Sequence, residues 1–330
     1  MKLSVLGAGG WGTAIARLLA NSSHETLLWA RNPKRAEEIA RTRENKRYLP
    51  GVSLPFSLKV TADLEEALKV DAIFLAVPSF AMAELLERLA GFRKLPKTVI
   101  NLAKGLDRAS QKTASELIEE HLPGSSAFTL SGPSHAEEVG RDMPTAVVLA
   151  GRDLKLGSSL QHAIATPRFR VYLSDDIRGV ELCGTVKNII AIASGISDGL
   201  GYGDNSRGAL ITRGLTEMSR FGEHLSIKKE TLFGLSGLGD LVATCTSEHS
   251  RNRYVGYRLG KGERIEDILS GMNMVAEGVY ATRIVHAMAK ERKIEMPITE
   301  AVHALLTGRA DPLSLVDRIM TRSPKREGFS

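Results

Sequence analysis

Cysteine is almost absent from this sequence: Cys183 and Cys245 are the only two among 330 residues, and they lie far apart in the chain. That excludes a disulfide framework and a cysteine-rich metal site, and the pair reads as reduced structural thiols. The histidines are few and dispersed, so no zinc-ligand spacing arises from them and no metal is expected. No apolar run approaches the ~18 to 20 residues that a membrane span needs. The chain opens Met1-Lys2-Leu3-Ser4-Val5-Leu6, straight into a strand pattern. This leaves no room for a signal or transit peptide, and the expectation is a cytoplasmic protein. Internal repeats are lacking, and so is low complexity outside the last ~8 residues. Despite a net charge of +6, the only tight basic cluster is Arg322-Ser323-Pro324-Lys325-Arg326, for which a frayed terminus is the expected reading. Scattered basic residues do not make a nucleic-acid surface; they suit a protein that handles small anions.

What is present is ordinary globular composition, 43% apolar and 25% charged, in a chain too long for a single core. From Lys2 to about Ser174, short β-branched or apolar runs alternate with helical patterns. The strands expected are 2–6, 26–30, 71–77, 98–101, 127–131, 145–149 and 170–174, with helices at 13–20, 33–43, 80–90 and 112–121. Residues 45–57 hold two prolines and a glycine without a sustained period and read as a loop. Such alternation predicts a parallel sheet wrapped on both faces by helices. After Arg178 the strand signals stop, and apolar residues at helical spacing take over, as in 180–192 and 280–290. Glycine-rich stretches at 195–208 and 234–239 read as tight connections that let backbone approach something closely.

Gly7-Ala8-Gly9-Gly10-Trp11-Gly12 fits G-x-G-x-x-G and sits between the first strand and the first helix. Gly7 permits the turn, Gly9 lets a pyrophosphate approach the backbone, and Gly12 allows helix to pack on strand. The helix N-terminus then offers N–H groups to the phosphates. A nicotinamide dinucleotide is the ligand this context predicts. At the end of the second strand, where an acid would hold the ribose hydroxyls of NAD, stands Arg31-Asn32. An arginine fork can pair with a 2′-phosphate, which points to NADP(H) or to both NADP(H) and NAD(H). The fold class follows: α/β, with an N-terminal Rossmann-type parallel-sheet domain (1–177), an all-helical C-terminal substrate and catalytic domain (178–322), and a flexible tail (323–330).

Ala76-Val77-Pro78-Ser79 puts a proline in a loop at the carboxyl end of the sheet, where the cofactor crevice is lined. The motifs to set together are Gly7-Ala8-Gly9-Gly10-Trp11-Gly12-Thr13-Ala14, Lys104-Gly105, Ser131-Gly132-Pro133-Ser134-His135-Ala136, Glu181 through Gly184 to Lys187-Asn188, Gly237-Leu238-Gly239-Asp240-Leu241, Ser250-Arg251-Asn252 and Val275-Ala276-Glu277-Gly278. In order and company they resemble the NAD(P)-dependent glycerol-3-phosphate dehydrogenases, which interconvert dihydroxyacetone phosphate and sn-glycerol 3-phosphate. The resemblance spans nearly the whole chain. It implies an active site in the cleft between the two domains, a cytoplasmic homodimer without a membrane span, and a place in supplying glycerophospholipid synthesis. It also implies cofactor contacts from Gly10, Trp11, Arg31, Tyr48, Lys104, Ala136, Arg251, Val275 and Glu277, beside Gly7, Gly9 and Gly12. Gly10 departs from the serine that many members carry. For substrate it implies Lys104, Gly132, Ser134, Lys187, Asp240, Ser250, Arg251 and Asn252, with Lys187 moving the proton and Lys104 and Asp240 assisting.

Those residue types suit the chemistry. Hydride addition to a ketone leaves negative charge on its oxygen, so a donor must hold that oxygen and a proton must arrive. In the reverse direction Lys187 must be neutral, a form that burial and a nearby Lys104 would favour. Asp240 would orient Lys187 or a substrate hydroxyl. His135 is a second acid/base candidate by residue type alone. Hydroxyl, guanidinium and amide in Ser250-Arg251-Asn252 suit a phosphate, yet could equally hold a carboxylate. A β-hydroxyacid-type dehydrogenase and a non-catalytic dinucleotide sensor therefore stay open.

Overall fold

The computed structural model describes residues 1–272, 274–314 and 321; the tail expected at 323–330 lies outside them. The chain divides into two compact units, Met1–Glu181 and Leu182–Ser330, where the sequence reading placed its division after residue 177.

The first unit is built on ten strands: β1 (Lys2–Leu6), β2 (Glu25–Trp29), β3 (Glu44–Asn45), β4 (Leu49–Ser53), β5 (Lys59–Thr61), β6 (Ala72–Leu75), β7 (Thr98–Asn101), β8 (Ser126–Ser131), β9 (Thr145–Gly151) and β10 (Phe169–Ser174). Between them run α1 (Gly10–Asn21), α2 (Pro33–Thr42), α3 (Leu64–Ala67), α4 (Met82–Ala90), α5 (Ala114–His121), α6 (Ala136–Gly140) and α7 (Leu154–Ile164). Eight strands form one sheet in the order β10-β9-β8-β7-β6-β1-β2-β5. Successive side chains of a strand point to opposite faces, and here both faces are covered, so the strands read as unbroken apolar runs. In β6, Phe74 joins the core under α1 and α7, while Ile73 and Leu75 join the core under α4 and α5. Strand order reverses at β1, with β2 on one side and β6 on the other. In open sheets that switch point is where ligands bind, at the carboxyl ends of the strands.

The sheet region adds detail that the sequence expectations lack. The sheet is not wholly parallel: β8 pairs with β9 antiparallel, because the connection between them carries only the five-residue α6 and turns the chain back. Residues 45–57 are no simple loop. β3 and β4 pair as an antiparallel hairpin, anchored by buried Leu49, Val52 and Leu54. The Asn45 side chain donates to the Ala8 carbonyl and to Thr13 Oγ1 at 3.0 and 2.8 Å. Pro50 and Gly51, the residues that suggested a loop, sit at exposed positions of this short edge. Strand β5, only three residues long, was not anticipated at all.

The second unit is helical throughout its described residues. α8 (Ile177–Gly199) leads into it, followed by α9 (Asp204–His224), α10 (Lys229–Phe233), α11 (Asp240–Thr246), α12 (Arg251–Gly260), α13 (Ile265–Ser270), α14 (Glu277–Glu291) and α15 (Pro297–Leu306). The expected connection at 195–208 is confined to residues 200–203, and the glycines before it serve helix packing. A Cβ on Gly195 would stand 2.0 Å from the Arg253 carbonyl oxygen, and one on Gly256 2.0 Å from that of Ile192. The backbones of α8 and α12 thus cross in contact, a geometry open only to residues without a side chain. Among the described residues α8 alone, at 23 residues, has the length and composition to cross a membrane, and its apolar window is wholly buried in the protein. Glu181, Lys187 and Asn188 interrupt its apolar sequence, so it holds no unbroken apolar run of that length.

Candidate active site

In the first unit the glycine-rich turn lies against the end of β6. Gly7 has φ +124° and packs on the Ala76 carbonyl; a Cβ on Gly12 would stand 2.0 Å from the Gly7 oxygen; a Cβ on Gly9 would meet nothing within 4 Å. Two glycines are therefore consumed by packing, and the third leaves its backbone open at the N-terminus of a twelve-residue helix with no acid in its first turn. This is the shape and polarity that a pyrophosphate requires. Helix α1 begins at Gly10 rather than Thr13, since the glycines that look like a loop are its first turn. Gly10 faces the hairpin: a Cβ there would stand 2.7 Å from the Tyr48 carbonyl oxygen and 3.6 Å from the Ala136 methyl. Gly10, Tyr48 and Ala136 are thus brought together. Trp11 packs on the core, with its indole N–H buried and without a partner among the described residues.

At the end of β2, Arg31 is exposed and makes no hydrogen bond or ion pair among the described residues. Asn32 caps α2 by accepting from the Arg35 amide. Arg35 had not been singled out. It donates to the Tyr48 hydroxyl at 3.0 Å and lies over the Tyr48 ring, so this end of the site carries more positive charge than Arg31 alone. Farther along the sheet edge, Lys104 Nζ and Ser134 Oγ both donate to the Gly132 carbonyl, at 2.8 and 2.9 Å. Gly132 has φ +139°, the left-handed region that favours glycine. His135, half-buried, stands at the N-cap of α6.

In the second unit Lys187, on α8, is buried. Its Nζ donates to Asp240 Oδ1 at 3.1 Å and to Thr244 Oγ1 at 2.7 Å. Leu235–Gly239 form a wide turn of π-helix, tight where Gly237 meets the Leu232 carbonyl, and this turn delivers Asp240 to the start of α11. The sequence reading had missed Thr244. Its signal was the spacing of four from Asp240, which shares a face only once a helix is placed there. Ser250 and Asn252 also make hydrogen bonds within the fold. Ser250 Oγ accepts from the Arg253 amide as the cap of α12. Asn252 donates to Asn188 Oδ1 at 2.8 Å and accepts from the Gly278 amide at 2.9 Å. Arg251 is exposed at the first position of α12. Val275 and Glu277 stand half-buried where α14 begins. Both cysteines are buried, and burial pushes the Cys245 thiol up to about 12.

The chain is similar to known proteins over nearly its whole length. The family description "NAD-dependent glycerol-3-phosphate dehydrogenase N-terminus" matches residues 2–157, and the corresponding C-terminus matches residues 176–317. The chain belongs to the NAD-dependent glycerol-3-phosphate dehydrogenase family. Among its relatives, glycerol-3-phosphate dehydrogenase (NAD(P)+) of Prosthecochloris aestuarii is 49% identical, over 99% of this chain and 100% of that one. The Chlorobium limicola enzyme of the same name is 46% identical over the full length of both. A crystal structure of glycerol-3-phosphate dehydrogenase from Coxiella burnetii matches with TM-score 0.93 and 42% identity, covering 97% of this chain and 99% of that one. D-mandelate dehydrogenase, at TM-score 0.64 and 16% identity, shares the fold alone.

Proposed function

We propose that this protein is an NAD(P)-dependent sn-glycerol-3-phosphate dehydrogenase that reversibly converts dihydroxyacetone phosphate to sn-glycerol 3-phosphate. The observation that carries the reading is Lys187, a buried lysine held by Asp240 and Thr244. A surface lysine would leave its amine in water; this one is fastened by two hydrogen bonds, as a proton donor for a single carbonyl must be. The dinucleotide supplies the hydride when bound, with Gly7, Gly9, Gly10 and Gly12 forming the turn that holds its phosphates. Trp11, Arg31, Tyr48, Lys104, Ala136, Arg251, Val275 and Glu277 complete its contacts.

On the substrate, Lys187 holds the carbonyl oxygen and delivers its proton. Asp240 and Thr244 keep the amine oriented. Lys104, set by the Gly132 carbonyl, acts with Ser134, and Arg251 supplies the exposed guanidinium for the phosphate. Gly132, Asp240, Ser250 and Asn252 complete the substrate contacts, and Ser250 and Asn252 also support that arginine's helix, Asn252 by tying Asn188 to the start of α14. The physiological reading is a cytoplasmic homodimer, divided near residue 177 into a dinucleotide-binding and a catalytic domain, that supplies glycerophospholipid synthesis.

The test is oxidation of NADPH and of NADH, followed at 340 nm, with dihydroxyacetone phosphate, dihydroxyacetone or a 2-keto acid. Turnover is expected only with the phosphorylated ketone. Turnover with the keto acid alone would overturn the reading, and tight NADPH binding without any turnover would favour a sensor.

Cofactor choice turns on Arg31. Arg31→Ala is expected to weaken NADPH about 10- to 100-fold, because a charged hydrogen bond contributes ~1.5 to 3 kcal/mol. NADH, with only a hydroxyl at that place, should lose little. The difference should shrink as salt rises, since the residue is exposed. Equal weakening of both cofactors in titrations at fixed ionic strength would assign Arg31 to the adenine instead.

A further inference from the structure

Glu181 is a carboxylic acid in the wrong place for one. It lies on α8 within the first unit and is only 3% exposed, where an ionised carboxyl without partners is strongly destabilising. Its partners explain it. Oε1 accepts from Asn101 Nδ2 at 3.2 Å, from the Ser115 amide at 3.0 Å and from Thr129 Oγ1 at 2.8 Å, while Oε2 accepts from Ser115 Oγ at 2.6 Å. Burial pushes its carboxyl above the ordinary range, and the bonds from Ser115, Thr113 and Thr129 pull the other way.

These donors are not scattered. Asn101 ends β7, and Thr129 lies in β8, three residues before Gly132. The Asn101 amide also brackets Ala103, donating to its carbonyl at 3.1 Å and accepting from its N–H at 2.8 Å. The next residue is Lys104, whose amine reaches back to the Gly132 carbonyl at 2.8 Å. Glu181, Asn101, Ala103, Lys104, Gly132 and Thr129 therefore close a ring in which the carboxylate fixes both strand ends at once.

We propose that Glu181 is a positioning residue for the reaction: it holds Asn101 and Thr129, and through them sets the place of Lys104 against Gly132. This rests on the reading above, in which Lys104 meets the substrate. A carboxylate suits the task because both its oxygens only accept, and four donors face it; an amide of the same shape would turn an N–H₂ toward one of them. Displacement of a reacting group by about 1 Å can cost on the order of 100-fold in rate.

The experiment is a double-mutant cycle of Glu181→Gln with Lys104→Met in the full-length protein, read by steady-state kinetics with dihydroxyacetone phosphate and by amide hydrogen exchange over residues 102–105. Glu181→Gln is expected to lower kcat/KM about 10- to 100-fold in the natural background and less than threefold in the Lys104→Met background. Exchange at residues 102–105 should quicken about tenfold or more. Turnover within threefold of the natural protein overturns the proposal, and so does an equal loss in both backgrounds, which is what a merely structural role would produce. If Glu181→Gln does not fold, Asn101→Ala enters the same cycle, since it breaks the bracket on Ala103 without touching the carboxylate. Absence of turnover by the natural protein would overturn the function reading alone. Unchanged exchange at residues 102–105 in the variant would then still overturn this one.

Discussion

Lys187→Met is expected to reduce kcat by about four orders of magnitude while leaving the dissociation constant of NADPH within a few-fold. Two contributions are lost together. Proton transfer by a positioned group is worth roughly 100- to 10,000-fold, and a donor on the developing oxyanion roughly 100- to 1,000-fold; because one amine serves both, the losses overlap and do not multiply in full. Both act in the transition state rather than on bound ligand, so kcat falls and cofactor affinity does not. Methionine has nearly the same length and no charge, which leaves Asp240 without its cationic neighbour in a site where the two side chains are 6% and 3% exposed. Breaking a buried pair in this way costs about 3 to 5 kcal/mol, and the variant should therefore melt several degrees lower. Pairing it with Asp240→Asn separates the two effects: stability should return, and turnover should not. A single Lys187→Met variant that turned over within tenfold of the natural protein would remove this lysine from the chemistry.

The second large effect concerns stability against pH. Glu217 on α9 is buried, and its carboxylate accepts from the amides of Ile298 and Thr299 and from Thr299 Oγ1, capping α15 from a distance in sequence. Burial raises its pKa from 4.5 to about 7, the hydrogen bonds opposing. A carboxyl whose folded value is raised binds its proton more tightly folded than unfolded. The stability this confers is fully present below about 4.5 and is lost as pH rises through about 7. At ~1.4 kcal/mol per unit the change across that window is about 3 kcal/mol. Denaturant unfolding of the natural protein and of Glu217→Gln between pH 4.5 and 7.5 measures it. The variant is expected to start lower, having one acceptor fewer, and the gap between the two curves should narrow by about 3 kcal/mol as pH rises. A constant gap would show that Glu217 stays ionised throughout.

Much of the first unit was legible because its signals are local. Alternation of short apolar runs with helical periods follows from covering a sheet on both faces, and Gly7, Gly9 and Gly12 stand where a strand meets a helix. What went unread there was short or polar. β5 has too few residues to show a period, and the hairpin β3–β4 is held by Asn45 reaching Ala8 and Thr13, residues distant in the chain. The direction of β9 was also invisible, since a strand's sequence is the same whichever way it runs.

In the helical unit the sequence by itself determined that helices would follow one another after Arg178, because a period of 3.6 is written in the spacing of apolar residues. It also presented Lys187, Asp240 and Arg251 as candidate groups, through motifs whose order is specific to the dehydrogenase family. It did not say which of those groups would be free to act. Only the tertiary structure decided that Thr244 completes the cradle of Lys187, that the Asn252 amide bridges Asn188 and Gly278, and that the glycines at 195 and 256 join two helices instead of ending them. Each outcome depends on which backbone and side-chain atoms come within about 3 Å across tens of residues of sequence. Hydrogen-bonding capacity belongs to a residue type, but its use is settled by the neighbours that packing supplies.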